Sequence, residues 1–457
     1  MSATDSFDLV VLGTGAGGST PAAKCREAAW RVAVVDDQPY GGTCAVRGCD
    51  PKKVLVGASE VVDWHRRMQG HGVAGESHID WPVLMRFKRS FTDAVPERHE
   101  QSLHKSGVET LHGHARFVAA DRLIVGSREL DVKHVVIATG ARPRPLGIPG
   151  EEHVSTSTAF LELDALPARI AFIGAGYISF EFAHLVQRAG AQAVVLGRGT
   201  PLGHFDQDLV ATLIEHSRHV GIDVRLNTSV TSVERQSDTD AGARYRVHTD
   251  TNGHAGIVEA DLVVHGGGRV PNTDTLDAAL GDITLDARGG VAVNEYLQSV
   301  SNPRVYAAGD AVLPPGAIPL TPVASHEGAV IASNLLHGDR KRPDYRGIPS
   351  VVFTSPPLAS VGLTEAEARR QGIEVHVQRG DTSSWYSNRR VGESVGMYKT
   401  IIEAKTDRLV GAHLLGTHVD EMINLFAVAV RCALPATELR HMIYAYPTSM
   451  SDIPYML

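Results

Sequence analysis

Apolar positions fall first into a short run, Asp8 to Leu12 (DLVVL), that ends on Gly13-Thr-Gly15-Ala-Gly-Gly18. A small-residue helix to about Trp30 follows, then a second apolar run, Arg31 to Val35, closed by Asp36. The same grammar returns far downstream. Arg169 to Ile173 (RIAFI) leads into Gly174-Ala-Gly176-Tyr-Ile-Ser179, a helix to Arg188, and the strand Ala191 to Leu196. Such a strand–glycine turn–helix–strand unit, present twice, predicts two nucleotide-binding folds built on parallel strands. Between the copies lie Val135 to Gly140 (VVIATG, with Thr139) and a Pro-rich turn, 141–150. After the second copy, Leu262 to Arg269 and Val305 to Asp310 read as strands ending on glycine turns, and 314–322 as a turn-rich stretch. From about Tyr345 the pattern alternates as antiparallel strands do (Val351–Phe353, Met397–Glu403, Leu409–Leu415), with helices at 364–371 and 421–432.

Length and composition add bounds. A chain of 457 residues exceeds one ordinary core. Its 43% hydrophobic and 21% charged content is that of a globular protein, and the net charge of −8 comes without a basic tract, against a nucleic-acid partner. No apolar run is long enough to span a bilayer and no signal peptide is visible. Four cysteines (Cys25, Cys44, Cys49, Cys432) are too few for a disulfide-stapled secreted protein, so a reducing cytoplasm is expected. The 22 histidines show no metal-ligand spacing with them, and no metal site is expected.

In the first copy, Gly13, Gly15 and Gly18 let backbone amides approach a pyrophosphate, and Asp36 can accept from a ribose hydroxyl. The second copy has Gly174 and Gly176 but no acid at its strand end. Gly197 stands there and Arg198 follows, and a guanidinium suits a 2′-phosphate, so NADPH is expected over NADH. The most informative segment is Gly41-Gly42-Thr43-Cys44-Ala-Val-Arg-Gly48-Cys49-Asp50-Pro51-Lys52-Lys53. On a continuous helix, residues five apart are separated by roughly 7.5 Å of rise, too far for a disulfide. A bridge therefore needs an opened turn, which Gly48 permits, and a helix N-terminus near Pro51 with Arg47, Lys52 and Lys53 favours a thiolate. Two structural thiols or half a zinc site are the alternatives; no second cysteine pair supports zinc.

With GGTC(x4)C(x)PK, ATGARP, GAGYIS(x)E, GGRVPNT, AAGD and VVFTSPPLASVGLTE in order, the sequence resembles the class I pyridine nucleotide–disulfide oxidoreductases over nearly its whole length. That family includes glutathione reductase, dihydrolipoamide dehydrogenase and mercuric reductase, and the likeness is greatest to glutathione reductase. The resemblance implies an α/β fold with two Rossmann-like domains and a C-terminal α+β dimerisation domain. FAD would occupy 1–147 and 268–340, NAD(P)H 148–267, and the homodimer interface 341–457. FAD would lie on the first glycine motif and Asp36, with Gly42, Thr43, Lys53, Thr139, Gly140 and the Gly309-Asp310 turn. Tyr177, beside Ile178, would gate the nicotinamide pocket, and Arg269 would contact the nucleotide. Cys49 would be the thiolate facing the flavin and Cys44 the interchange thiol. Glu181 would pair with a lysine near the flavin, Lys52 rather than Lys53. Electrons would pass from NADPH through FAD to a Cys44–Cys49 disulfide and on to a small disulfide.

The resemblance fails in three places. Where relatives carry H-x-H-P-T-x-S-E, this chain reads Tyr444-Ala-Tyr446-Pro447-Thr448-Ser-Met-Ser451-Asp452. A phenol with a pKa of about 10 donates a proton but is a poor base at neutral pH, so Tyr446, with Asp452 late by one residue, favours disulfide reduction over dihydrolipoamide oxidation. The first-helix arginine of glutathione reductases is replaced by Ala23, next to Lys24, and the C-terminal cysteine pair of mercuric reductases is absent. Alternatives are a dihydrolipoamide dehydrogenase, a mercuric, metal-ion or quinone reductase, and a redox-sensing flavoprotein.

Overall fold

The computed structural model describes residues 5–236 and 244–457. The chain forms two compact units. One comprises 1–52, 87–144 and 269–345, the other 53–86, 145–268 and 346–457.

In the first unit, β1 (Asp5–Leu12), α1 (Ala16–Glu27) and β2 (Val32–Asp36) form the first of the expected repeats. β1 pairs in parallel with β2 and with Arg128–Ile137, while β2 pairs with β3 (Glu109–His112). Val305–Ala307 joins Arg128–Ile137 in the same direction, and two antiparallel strands extend the sheet to seven. Side chains of β1 are buried on both faces, Leu9, Val10, Val11 and Leu12 alike, as a sheet covered on both sides requires. Every parallel strand that ends on the glycine motifs thus opens toward one edge, the carboxyl edge at which such sheets bind ligands.

In the second unit, Arg169–Ile173, Gln192–Gly197, Asp223–Leu226 and Leu262–His265 make a four-stranded parallel sheet. Its core packs Phe160, Phe172, Phe180 and Phe182 together. A three-stranded antiparallel sheet over 228–260 and a five-stranded antiparallel sheet over 350–415 complete the unit. The helix Val419–Arg431 lies on the latter through Met422, Ile423 and Phe426.

The strand Leu262–His265 ends on the glycine turn Gly266-Gly267-Gly268 as expected, and a second short strand, Arg269–Pro271, follows it. The turn-rich stretch 314–322 ends in a helix, Thr321–His337, with Pro322 at its start, where a missing N–H costs nothing. Among the described residues no helix is long and apolar enough to cross a membrane.

Candidate active site

The sequence around the cysteines folds as two helices, α2 (Gly42–Arg47) and α3 (Cys49–Met68), with Gly48 between them at φ −142°, ψ −112°. A Cβ at Gly48 would lie 2.8 Å from the carbonyl oxygen of Thr43, so only glycine allows the chain to fold back this tightly. The break removes the helical rise that would hold Cys44 and Cys49 apart. It also starts α3 at Cys49 itself, two residues before the expected Pro51.

Cys44 and Cys49 are free thiols, half-buried and exposed respectively, and the Cys44 thiol donates to the Cys49 sulfur. That hydrogen bond is the main reason the Cys49 thiol is lowered to about 6, and the hydroxyl of Thr321 and the charge of Lys52 act in the same direction against burial and Asp50. Cys44 is held well above the ordinary thiol range by the same bond and by burial. The Thr321 hydroxyl stands 3.7 Å from the Cys49 sulfur, at the first residue of its 17-residue helix. Thr321 carries no motif signal in the sequence. Only the strand-to-helix topology that brings Thr321–His337 to the sheet edge identifies it.

The residues expected to hold FAD lie on the first unit. Gly13 has φ +104°, and a Cβ there would lie 2.3 Å from the carbonyl oxygen of Ala138. Gly42, at φ +71°, approaches Gly15 so closely that a Cβ would lie 2.5 Å from its Cα. Asp36 ties this turn together: its Oδ2 accepts from the Thr14 amide and hydroxyl at 2.8 and 2.6 Å, and its Oδ1 accepts from the Gln38 amide. Asp310 is raised by burial, with Arg269 opposing. Arg47 Nη1, Thr139 Oγ1 and Arg269 Nε are buried with no hydrogen-bonding partner among the described residues. Buried donors without partners are costly, and a dinucleotide's phosphates and flavin supply the acceptors they lack, so the residues present fit FAD. Glu327, not singled out by any motif, braces the site. Its carboxylate accepts from the Gly309 amide at 2.6 Å and the Tyr345 hydroxyl at 2.7 Å, and burial lifts it to about 7.

In the second unit, Gly174 (φ +106°) approaches Gly266, where a Cβ would lie 2.3 Å from a carbonyl oxygen, and Tyr177 opens the helix Tyr177–Arg188 half-exposed. A Cβ on Gly197 would stand 2.5 Å from that of Ala175. The strand end that carries an acid in the first copy therefore has no room for one in the second. Arg198 is exposed and makes no ion pair among the described residues. Glu181 is buried and accepts from the Phe353 amide at 2.9 Å.

The two lysines diverge. The Lys52 charge reaches Cys49, whereas the Lys53 ammonium meets Glu60 at 2.9 Å and lies over the Phe353 ring. Arg269 sits on the first unit and donates to the Ala141 carbonyl. Tyr446 is 82% exposed, after which comes a cis peptide bond to Pro447. Asp452 is bound instead to the Ser387 hydroxyl, and among the described residues no hydrogen bond joins it to Tyr446. Among those residues, too, no group of three His, Cys, Asp or Glu side chains is arranged to hold a metal ion.

The family model described as pyridine nucleotide-disulphide oxidoreductase matches residues 7–328, and that of its dimerisation domain matches 348–456. Glutathione reductase of Burkholderia cepacia is 33% identical over 97% of this chain and 96% of its own length. Mercuric reductase of Staphylococcus aureus is 30% identical over 97% of this chain and 80% of its own. The HOCl-induced flavoprotein disulfide reductase RclA of Escherichia coli, solved also as a Cu(II) complex, superposes with a TM-score of 0.87 over 99% of both chains at 26% identity. Two family models spanning the chain, and relatives matched over nearly their whole length, make this protein a member of the pyridine nucleotide-disulphide oxidoreductases, an NAD(P)H-dependent flavoenzyme acting on sulfur groups.

Proposed function

We propose that the enzyme reduces a low-molecular-weight disulfide with NADPH through the pair Cys44 and Cys49. The observation that carries this is the hydrogen-bonded thiol pair across the Gly48 break, with Cys49 lowered to about 6 beside Thr321 and Lys52. A thiol ionised at neutral pH is the form that attacks and leaves in disulfide exchange. Bound FAD supplies the acceptance of hydride from the nicotinamide and the delivery of two electrons to the disulfide.

The chain's own residues then have separable tasks. Gly13, Gly15, Gly18, Asp36, Gly42, Thr43, Thr139, Gly140, Gly309 and Asp310 hold the flavin dinucleotide, on a domain of 1–147 and 268–340. Residues 148–267 hold the nicotinamide dinucleotide through Gly174, Gly176, Tyr177 and Ile178. The steric exclusion of an acid at Gly197 and the exposed guanidinium of Arg198 support NADPH over NADH. Lys52, whose charge already reaches Cys49, is the lysine we assign to the flavin's surroundings, rather than Lys53. Residues 341–457 form a homodimer and present Tyr446 outward, toward the partner's dithiol, as proton donor to the departing sulfur. The sparse cysteines support work in a reducing compartment, the cytoplasm.

A second reading, a soft metal ion as electron acceptor, draws on Tyr446. Reduction of a cation needs no proton for a leaving group, which suits a chain lacking the histidine. The mercuric reductase relatives and the Cu(II) complex of RclA add to it. A steady-state panel of glutathione disulfide, other small disulfides, lipoamide, Hg(II), Cu(II) and quinones, each with NADPH and NADH, tests both. The proposal expects turnover with a small disulfide and NADPH. Turnover confined to metal ions or quinones would overturn it.

A further inference from the structure

Tyr446 stands where the motif of relatives has a histidine, a phenol is a poor base at neutral pH, and among the described residues no carboxylate hydrogen-bonds Tyr446. The chain nevertheless carries a carboxylate at the sulfur itself. Asp50 is the second residue of α3, and the Gly48 break turns that first turn back over α2. The Cys44 thiol, which donates to Cys49 while that sulfur is a thiolate, has Asp50 Oδ1 at 3.9 Å as its second acceptor, within reach for a sulfur donor. Asp50 is exposed, so its carboxylate is open to solvent and to an arriving substrate. The groups around the two sulfurs are unequal. The Thr321 hydroxyl favours a charge on either sulfur and Lys52 favours one on Cys49, while Asp50 works against a charge on either sulfur and hydrogen-bonds only Cys44. The resting dithiol is thereby sorted into a Cys49 thiolate and a Cys44 thiol with a carboxylate within reach of its proton.

We propose that the carboxylate of Asp50 is the proton partner of Cys44, taking the thiol proton as Cys44 attacks a disulfide and handing it to the departing sulfur. This rests on Cys44 being the interchange thiol. In the step, a bond forms between the Cys44 sulfur and one substrate sulfur, and the substrate S–S bond breaks. The proton leaves Cys44, resides on Asp50 Oδ1, and ends on the released thiol. Cys49 then attacks the Cys44 sulfur, the mixed disulfide breaks, and the second product thiolate takes a proton from solvent. The two electrons come from the dithiol, which ends as the Cys44–Cys49 disulfide.

An acid in the first turn of a helix also serves the helix dipole, and that structural role predicts no dependence on the substrate's leaving group. Two uncharged probes separate the roles: bis(2-hydroxyethyl) disulfide, whose leaving thiolate is strongly basic, and 4,4′-dithiodipyridine, whose leaving group departs unprotonated. The experiment is thiol exchange on dithiothreitol-reduced holoenzyme without NADPH, comparing the native protein with Asp50→Asn. Flavin content serves as the check that the variant is folded. The expected result is at least about tenfold slower exchange with the hydroxyethyl probe and a change within about twofold with the dipyridine. Equal slowing on both probes, or none on either, overturns the proposal. Because no NADPH is used, this outcome is separate from failure of the functional reading, which would appear as absent NADPH-driven turnover with every disulfide.

Discussion

The sharpest chemistry in this protein depends on single atoms placed around one sulfur. The Thr321 hydroxyl, 3.7 Å from Cys49, is a neutral donor that strengthens when the sulfur carries charge, so its removal should raise the cost of the thiolate. Native enzyme should lose the absorbance of the Cys49 thiolate as the pH falls through about 6. Thr321→Val, similar in shape and without the hydroxyl, should move that midpoint up to about 7. An unmoved midpoint in the ultraviolet titration of the reduced variant would show that Thr321 plays no part in holding the thiolate. Glu327 belongs to this scale as well. A carboxylate lifted to about 7 inside the flavin-holding unit, accepting from Gly309 and Tyr345, fixes the turn that presents Asp310.

At the level of elements, what the sequence states locally it states well. Both glycine turns, the strands that feed them and the helix Tyr177–Arg188 were legible because strand periodicity, glycine spacing and helix onset agree within about twenty residues. The Gly48 break was legible too, since two cysteines five apart cannot meet on an unbroken helix. Thr321 and Glu327 were not. They act from a helix some 270 residues after the cysteines, brought to the same sheet edge by Val305–Ala307 pairing with Arg128–Ile137, a long-range event without local signature. The antiparallel strands over 228–260 were missed for a different reason: their faces are largely exposed, so alternation is weak. The close approach of Gly42 to Gly15 gives this scale its prediction. A Cβ at Gly42 meets the Gly15 backbone at 2.5 Å, and φ +71° is unfavourable for alanine. Gly42→Ala should therefore release its flavin on heating at a temperature lower by roughly 5 °C. Unchanged release in a fluorescence melt would contradict the packing described for this turn.

For the whole molecule, the decisive feature is a C-terminal surface that a single chain leaves uncovered. Ile443 is 98% exposed, and Tyr446, Tyr455 and Val428 are exposed with it, in the part of the chain that matches the family's dimerisation domain. Isolated apolar residues on a surface are ordinary, but several within one short C-terminal region suit an interface. Ile443→Glu should weaken the homodimer at least about tenfold, read by sedimentation at declining concentration. If Tyr446 serves the partner's dithiol, disulfide turnover should fall as the dimer dissociates. Dissociation that leaves turnover intact would remove Tyr446 from the chemistry.

All of these depend on electrons from the nicotinamide reaching one particular pair of sulfurs. The direct measurement is the redox state of each cysteine in the holoenzyme, read by alkylation and mass spectrometry before and after a single equivalent of NADPH without oxygen. The account predicts that Cys44 and Cys49 are joined in air-oxidised enzyme and both become alkylatable, while Cys25 and Cys432 do not change. If NADPH bleaches the flavin yet leaves Cys44 and Cys49 as they were, the pair is not the enzyme's redox centre.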